Sequence, residues 1–558
     1  MTSELANPSC RGLQLRHTIA FSLTAGLVLG LSGLLLFSNL GHYALWDDET
    51  MVGLVAQGVL KTGDTSALLD HNLVAYEDGL LLHNFCDRST PPLPAYLTAA
   101  SFALLGRSAT TARLPFAVCG WLAVALMLHW ARKENVSWPS FALLGLGILG
   151  NVSLFLFCRQ CRYYGLVILA SVTIAYCYYH WDGKRWRLAA LVFFSLVLLA
   201  SNYMQFVALY VCLGVDYCLW GRKQRAVGVS DWAWLLIPQI LVGGLVVGIW
   251  NPATTPNKAN FLASSALDRL RYIVWFLRDL NLCEFGNVLL LVAAPLLWLR
   301  RRNVWLIRIP LLLTAYLISL ALLCPFRGGV FSEVRYLCPT IPLWIVLGVL
   351  VLGEVARLRP WLLVPAGLLF FGTNLLSVNW LIPFPYQAAG WLTPYPYAKA
   401  APRSTLLLYA RELLAPPPDP YTLAADWIHR NMKPGQSVWV APGLADYPLM
   451  FHAPEVIYAW QLSYPPKEPY QNLPEIYFLG RQPPDFIVAF AGWIQVVRGT
   501  LKQMQAVGIH YRELPPLNCF GRDAYRPELF RRTFKPITGF DPQTEGIYLF
   551  QRTAPEAK

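Results

Sequence analysis

The chain has 558 residues, of which 56% are hydrophobic and only 14% charged, with a mean hydropathy of +0.42. A soluble globular chain carries about 25% Asp, Glu, Lys and Arg, so a cytosolic enzyme, a disordered protein and a secreted disulfide scaffold are excluded and an integral membrane protein remains. The formal net charge of +13 does not call for nucleic acid, because cytoplasmic loops of membrane proteins collect Lys and Arg.

Apolar stretches long enough to cross roughly 30 Å of hydrocarbon as helices fall at about 17–40, 113–131, 139–157, 164–181, 188–202, 203–220, 232–250, 285–299, 304–324, 340–356 and 361–382. The sequence thus predicts about eleven spans. Arg11/Arg16, Arg132/Lys133, Lys184/Arg185/Arg187, Arg222/Lys223/Arg225, Arg300/Arg301/Arg302 and Arg357/Arg359 all fall on one side of this threading, which the positive-inside rule makes cytoplasmic. Splitting 188–220 at Ser201-Asn202-Tyr203 keeps every cluster on that side. The N-terminus is then cytoplasmic and the C-terminal part extracytoplasmic. The first apolar stretch lacks a small-residue cleavage site and reads as a retained span.

Three outside segments are long enough for chemistry: 41–112, 251–284 and everything after about 383. Residues 1–385 form the expected membrane domain. Residues 386–420, with Trp391 and Pro416-Pro417-Pro418, read as a stiff interfacial linker. In 421–558, helical patterns at 421–432 and 493–506 alternate with short apolar runs at 437–441, 486–490 and 546–551. That alternation predicts a small soluble α/β domain.

The twelve cysteines form no single framework. Cys158-Arg-Gln-Cys161 has redox spacing without the strand–helix context of a redox motif, and Cys324 with Cys338 is the pairing that brackets one outside loop. His71, His83 and Cys86 share the first outside loop, but their spacing is not that of a zinc finger, and no metal site is assigned. Asp78 and Asp87 read as solvated loop acids, with divalent-cation binding as the other reading.

The informative run is Leu45-Trp46-Asp47-Asp48-Glu49-Thr50, directly after the first span. One reading is a solvated helix N-terminus, where acids complement the dipole. The other is a carboxylate at a cavity mouth acting as general base, its pKa tuned by adjacent acids.

Asp48-Glu49-Thr50, followed by Ala56-Gln57-Gly58-Val59-Leu60-Lys61-Thr62-Gly63-Asp64, resembles the opening of the first periplasmic loop in the GT-C superfamily. The nearest branch is the bacterial one related to protein O-mannosyltransferases and aminoarabinose (lipid A) transferases. Thr90-Pro91-Pro92-Leu93-Pro94-Ala95-Tyr96-Leu97 is similar to that group's Pro-Pro-Leu segment before a surface helix. Ala112-Arg113-Leu114-Pro115, Arg162-Tyr163 and Arg335-Tyr336 with Pro339 and Pro342 resemble further pieces, in the family order.

The resemblance implies a GT-C-like polytopic α-helical fold with periplasmic surface helices in the first loop. It implies an inverting glycosyltransferase that takes its sugar from a polyprenyl-phosphate donor at the outer face of a bacterial cytoplasmic membrane. Asp48 is then the base that deprotonates the acceptor, and Glu49 the second acid, orienting groups. Arg88, Arg162, Arg335 and Tyr336 are the implied donor-phosphate ligands. Arg162 and Arg335 end spans on the less basic side, where the positive-inside bias does not explain them. Related aminoarabinose transferases carry lysine where this chain has Thr90, so either Arg88, two residues earlier, takes that charge role or the phosphate is held differently. The acceptor is a lipid, a glycan or a protein; membrane lipids are partners and nucleic acid is not. No cofactor is assigned, although a divalent cation is compatible with the loop acids. The rival readings are a flippase or transporter, which needs charge at mid-membrane depth, and a ligase that moves a whole glycan.

Overall fold

Long runs of Leu, Val, Ala and Phe satisfy their own backbone in hydrocarbon only as helices, and helices follow one another along most of the chain. The computed structural model describes residues 8–222, 228–254, 287–323, 331–357, 359–373, 375–376, 404–416, 418–519 and 546–553, with 269, 272–274, 276 and 277 besides. Residues 386–403 and Pro417 of the proline-rich linker, with Trp391 among them, Cys283, the proposed Cys324 partner of Cys338, most of the 251–284 segment and the end of the last expected span lie outside the described residues, whereas the later part of the linker carries the helix Thr405–Leu414.

Among the described residues, six helices are long and apolar enough to cross a membrane: Thr18–Phe37, Ala109–Lys133, Tyr203–Gly221, Val229–Thr254, Trp305–Leu323 and Arg335–Ala356. Trp138–Gly150 and Val152–Cys158, bent by 56° to each other, make a seventh if counted as one. The bend falls at Asn151, whose side chain caps the second piece by accepting from the Leu154 amide at 3.0 Å. Other expected spans correspond to shorter helices such as Tyr164–Tyr179 and Arg185–Ser201. The latter stops at Asn202, whose side chain caps the next helix through the Gln205 amide, so the polar break at 201–203 is a real boundary. Large side chains such as Leu23, Leu27, Leu34, Trp234, Ile240 and Leu245 face outward, an apolar surface that suits lipid rather than water.

One buried cluster inside the bundle is polar. Arg308 donates to both oxygens of Asp216 at 2.5 and 2.7 Å, and Tyr178 and Tyr179 donate to the same carboxylate. The rings of Tyr179, Trp220 and Trp305 surround the guanidinium. Both residues lie near the ends of their helices, Tyr203–Gly221 and Trp305–Leu323.

Residues 41–112 contain the helices Asp47–Thr62 and Leu93–Leu105 and two small hairpins, β1 (Leu68–Leu69) with β2 (Asn72–Leu73) and β3 (Leu82–His83) with β4 (Cys86–Asp87). The C-terminal part holds a five-stranded sheet of β5 (Ser437–Ala441), β6 (Ile457–Tyr458), β7 (Phe486–Phe490), β8 (Tyr511–Leu517) and β9 (Ile547–Arg552), in the order β6-β5-β7-β9-β8. β5 is parallel to β6 and β7, while β9 is antiparallel to β7 and β8. All five residues of β7 are buried, as a continuous apolar run requires.

The sheet is fastened to the first loop. The Asn72 side chain donates to Val456 O at 2.8 Å and accepts from the Tyr458 amide at 2.9 Å. His71 Nε2 meets Pro454 O, and Tyr470 donates to Gly79 O. Leu54, Leu73 and Phe102 share one apolar core with Phe451, Tyr458 and Val488.

Candidate active site

The site is built on the turn between the first helix and the helix Asp47–Thr62. A helix leaves its last carbonyls unpaired, and here Arg159, buried, donates to the carbonyls of Leu35, Leu36, Ser38 and Asn39. Arg113, 1% exposed, takes the next stretch, donating to Leu40 O, Tyr43 O and Ala44 O at 2.8–2.9 Å. The C-terminal part adds Asp419 Oδ2, which accepts from the Ala44 amide at 3.1 Å, and His452 Nε2, which accepts from the Leu45 amide at 3.4 Å. Two arginines and two side chains from the far end of the chain thus fix the backbone immediately before the acidic run.

The three acids form the first turn of the helix, where the dipole favours negative charge, yet all three are buried. Burial decides against the solvated-terminus reading, because a buried carboxylate requires partners. Glu49 accepts from Arg113 Nε at 2.8 Å and Nη2 at 2.5 Å, and from the Cys161 amide at 2.7 Å. Asp48 is held differently. Arg335 Nη1 donates to Asp48 Oδ2, Arg162 Nη2 lies 3.5 Å from the same oxygen, and Arg162 Nη1 donates to the Asp48 carbonyl at 2.9 Å. The Asp48, Arg162 and Arg335 side chains keep 11–18% exposure, whereas Glu49 and Arg113 keep 0–2%. The two neighbouring acids therefore occupy different environments: one sealed, one with a small residual exposure.

Tyrosines crowd the two arginines. Arg162 lies over the Tyr163 ring and Arg335 over the Tyr336 ring, with Tyr163 and Tyr164 in edge contact at 4.5 Å. The start of the helix Tyr164–Tyr179 reaches this depth because Gly165 has no side chain: a Cβ there would stand 2.3 Å from Phe116 O. The hydroxyls of Tyr163 and Tyr164 and the Nε of Arg162 are buried without a hydrogen-bond partner among the described residues.

A narrow cavity on the Arg162 side of the cluster is lined by Arg162, Tyr163, Asp87, Thr90, Pro91 and Pro92, with Val52 and Val55 of the Asp47–Thr62 helix and Ser201 behind. Asp87 departs from the expectation of a solvated loop acid. It is 6% exposed, accepts from the amides of Ser89 and Thr90 at 2.9 and 3.1 Å and from the Thr90 hydroxyl, and burial pushes its pKa up. The hydroxyl of Thr90 is thus turned onto Asp87. Asp78 likewise is engaged, accepting from the Ser463 amide and Lys467.

Of the residues the sequence singles out, Asp48, Arg162, Arg335 and Tyr336 meet in one place, and Glu49 stands beside them in its own pair. Arg88 does not join them. Its guanidinium grips Asp64 at 2.5 and 2.7 Å and Thr65 at 2.9 Å and lies over Trp250; this pairing holds the Asp64 carboxyl down at about 2. Among the described residues no group of three His, Cys, Asp or Glu is arranged to hold a metal ion, and Cys158 and Cys161 are buried free thiols. Arg113, Arg159 and Tyr164 carry roles that the sequence does not single out, and Asp87 is buried where a solvated loop acid is expected. Arg113 lay inside a recognised motif and Arg159 inside the Cys-Arg-Gln-Cys run, but neither run tells which carbonyls they reach.

The fold has counterparts among solved structures. The crystal structure of ArnT from Cupriavidus metallidurans in the apo state aligns with a TM-score of 0.53 at 15% identity, covering 86% of this chain and 94% of ArnT. The crystal structure of the same protein bound to undecaprenyl phosphate aligns with a TM-score of 0.52 at 13% identity, over 94% and 97% of the two chains. No family model and no curated protein matches the chain. The chain therefore shares the ArnT fold, in line with the resemblance drawn from its motifs.

Proposed function

We propose that this protein is an inverting glycosyltransferase that moves a sugar from a polyprenyl-phosphate donor to a lipid, glycan or protein acceptor at the periplasmic face of a bacterial cytoplasmic membrane. In this reading about eleven helices cross the bilayer, the N-terminus is cytoplasmic and the C-terminal sheet is periplasmic. The observation that carries it is the convergence of Arg162 and Arg335 on the partly accessible Asp48. One carboxylate able to take a proton stands beside two guanidiniums able to take an anion. The fold shared with ArnT, which binds undecaprenyl phosphate, supports the donor class.

The acceptor hydroxyl or amine attacks the anomeric carbon from the side opposite the phosphate. The new bond to carbon forms as the carbon–oxygen bond to phosphate breaks, which inverts the centre. The acceptor proton passes to an Asp48 oxygen, and the bonding pair leaves on the phosphate oxygen. The growing negative charge there is met by Arg335 and Arg162, whose planar donors match phosphate geometry. The Tyr336 ring lies under the Arg335 guanidinium and helps hold it in place. Glu49 takes no proton in this scheme: sealed with Arg113, it holds the first turn so that Asp48 points at Arg335 and Arg162.

The test is transfer in membranes supplied with labelled polyprenyl-phosphate sugars and envelope extracts as acceptors. Label should move to an acceptor with the wild type, with inverted anomeric configuration, and fail to move with Asp48→Asn. Near-normal transfer by Asp48→Asn would remove the base from the proposal, and absence of transfer by the wild type from every polyprenyl-phosphate sugar would remove the donor class.

A further inference from the structure

We infer that the Asp48 carboxylate is a built-in competitor of the donor: it occupies the arginine site until a phosphate displaces it, so the base is released only when the donor is bound. The inference rests on the reading above and adds a regulatory coupling to it. Arg335 and Arg162 both direct terminal nitrogens at Asp48 Oδ2. A carboxylate held in that way is a weak base, because the same contacts that stabilise its charge oppose its taking a proton. A phosphate monoester or diester oxygen competes for the same planar donors.

The donor set is also larger than one carboxylate uses. Arg162 Nε and the hydroxyls of Tyr163 and Tyr164 are buried without partners among the described residues, and Tyr164 lies within electrostatic reach of Arg335, Arg162 and Asp48. Buried donors left unpaired are costly, and a phosphodiester, with two non-bridging and two ester oxygens set around a tetrahedral phosphorus, can reach donors that the planar resident carboxylate leaves unused. The exchange therefore favours phosphate and frees Asp48 beside the reacting sugar. Without donor, Asp48 stays paired and cannot activate water or acceptor unproductively.

The experiment is a double-mutant cycle on the full chain in nanodiscs, with undecaprenyl phosphate as the probe and affinity followed by intrinsic tryptophan fluorescence. Asp48→Asn and Asp48→Ala should each bind the probe roughly tenfold tighter than the wild type, the scale of losing one charge-assisted competitor. In an Arg335→Gln background the gain from Asp48→Asn should shrink to under about threefold, because the hydrogen-bonded one of the two contested arginines is gone and only the longer Arg162 contact remains. An undiminished gain in that background would mean plain charge repulsion and overturn the inference, as would unchanged or weaker binding by both Asp48 variants. Either of those results, with the wild type binding, leaves the donor reading standing; no binding by wild type and variants alike overturns both. In the wild type, which needs no substitution, isotope-edited infrared difference spectra should show an aspartate carboxylate band shifting when the probe binds, and a silent carboxylate region counts against release.

Discussion

Glu49 and Arg113 form a two-pronged ion pair in which neither side chain reaches solvent, with Nε–Oε1 at 2.8 Å and Nη2–Oε2 at 2.5 Å. The three remaining N–H groups of Arg113 go to the carbonyls of Leu40, Tyr43 and Ala44, so all five donors of the guanidinium are used. The pair ties the first turn of the Asp47–Thr62 helix to the loop before it, and it separates Glu49 from Asp48 in role although they are adjacent in sequence.

Arg113→Lys and Glu49→Gln should each behave as folding lesions. Breaking one side of a buried, hydrogen-bonded pair costs about 3–5 kcal/mol, and lysine cannot reproduce the fork. Thermal unfolding in detergent should fall for both, with activity lost in proportion to folded protein. Asp48→Asn, whose arginine contacts keep 11–18% exposure, should lose transfer with a smaller fall in its unfolding midpoint than either of those variants. A stable, inactive Glu49→Gln would instead give Glu49 a chemical role.

Arg335 and Arg88 should separate in donor binding. Arg335→Gln removes a guanidinium from the Asp48 cluster and should weaken undecaprenyl phosphate binding by about tenfold or more, as loss of a hydrogen bond to a charged group does. Arg88→Gln breaks a partly exposed pair with Asp64 and should change affinity by less than about fivefold, the usual range for such pairs. Titrating each purified variant decides between them; an Arg88 effect equal to that of Arg335 would put Arg88 on the phosphate.

Docking of the C-terminal part onto residues 44–45 should weaken on acidification. Burial, helped by the charges of Arg113 and Arg107, holds the His452 imidazole down at about 4 from its ordinary 6.5. The unfolded chain therefore binds a proton between those values while the folded chain does not, so stability present above about pH 6.5 is lost as pH falls toward 4. Protection of the segment 44–45 against hydrogen exchange, taken relative to the intrinsic exchange rate at each pH, should fall between pH 7 and 5. His452→Gln, which cannot protonate, should flatten that dependence, and an unchanged slope would move its origin elsewhere.

The Asp216–Arg308 pair should be structural. Asp216→Asn leaves a buried guanidinium without its counter-charge and should cost about 3–5 kcal/mol, whereas Asp216→Leu with Arg308→Met should recover much of it, since a buried pair replaced by packed apolar groups is often near neutral. Melting of the single and double variants measures this. A double variant as unstable as the singles, or one that folds but moves substrate across vesicles differently from the wild type, would make the pair part of a pathway.

Much of the helical pattern was legible because hydrocarbon imposes one local solution on any long apolar run. Helices lie at the predicted segments wherever residues are described, and the break at 201–203 carries the cap its polar residues promise. The strands Ser437–Ala441 and Phe486–Phe490 also coincide with the short apolar runs. Asp87 was not legible as a buried acid, since its neighbours Ser89 and Thr90 look like ordinary loop residues and nothing local records that Arg162 and the Asp47–Thr62 helix close over it. Arg88 beside the proline-rich segment looks like a phosphate ligand until Asp64, 24 residues earlier, takes it.

Composition and the order of short motifs were enough to fix what depends on local chemistry: a membrane chain, its basic clusters, and an acidic run at the head of a helix. Which acid is sealed and which is accessible was decided only in three dimensions. Glu49 finds Arg113 across 64 positions and Asp48 finds Arg335 across 287. The physical reason is that a charge in a low-dielectric interior is governed by the partners that surround it, and those partners are brought together by packing, not by spacing in the sequence. The low charged fraction announced a membrane protein; the fold assigned its few buried charges their different work.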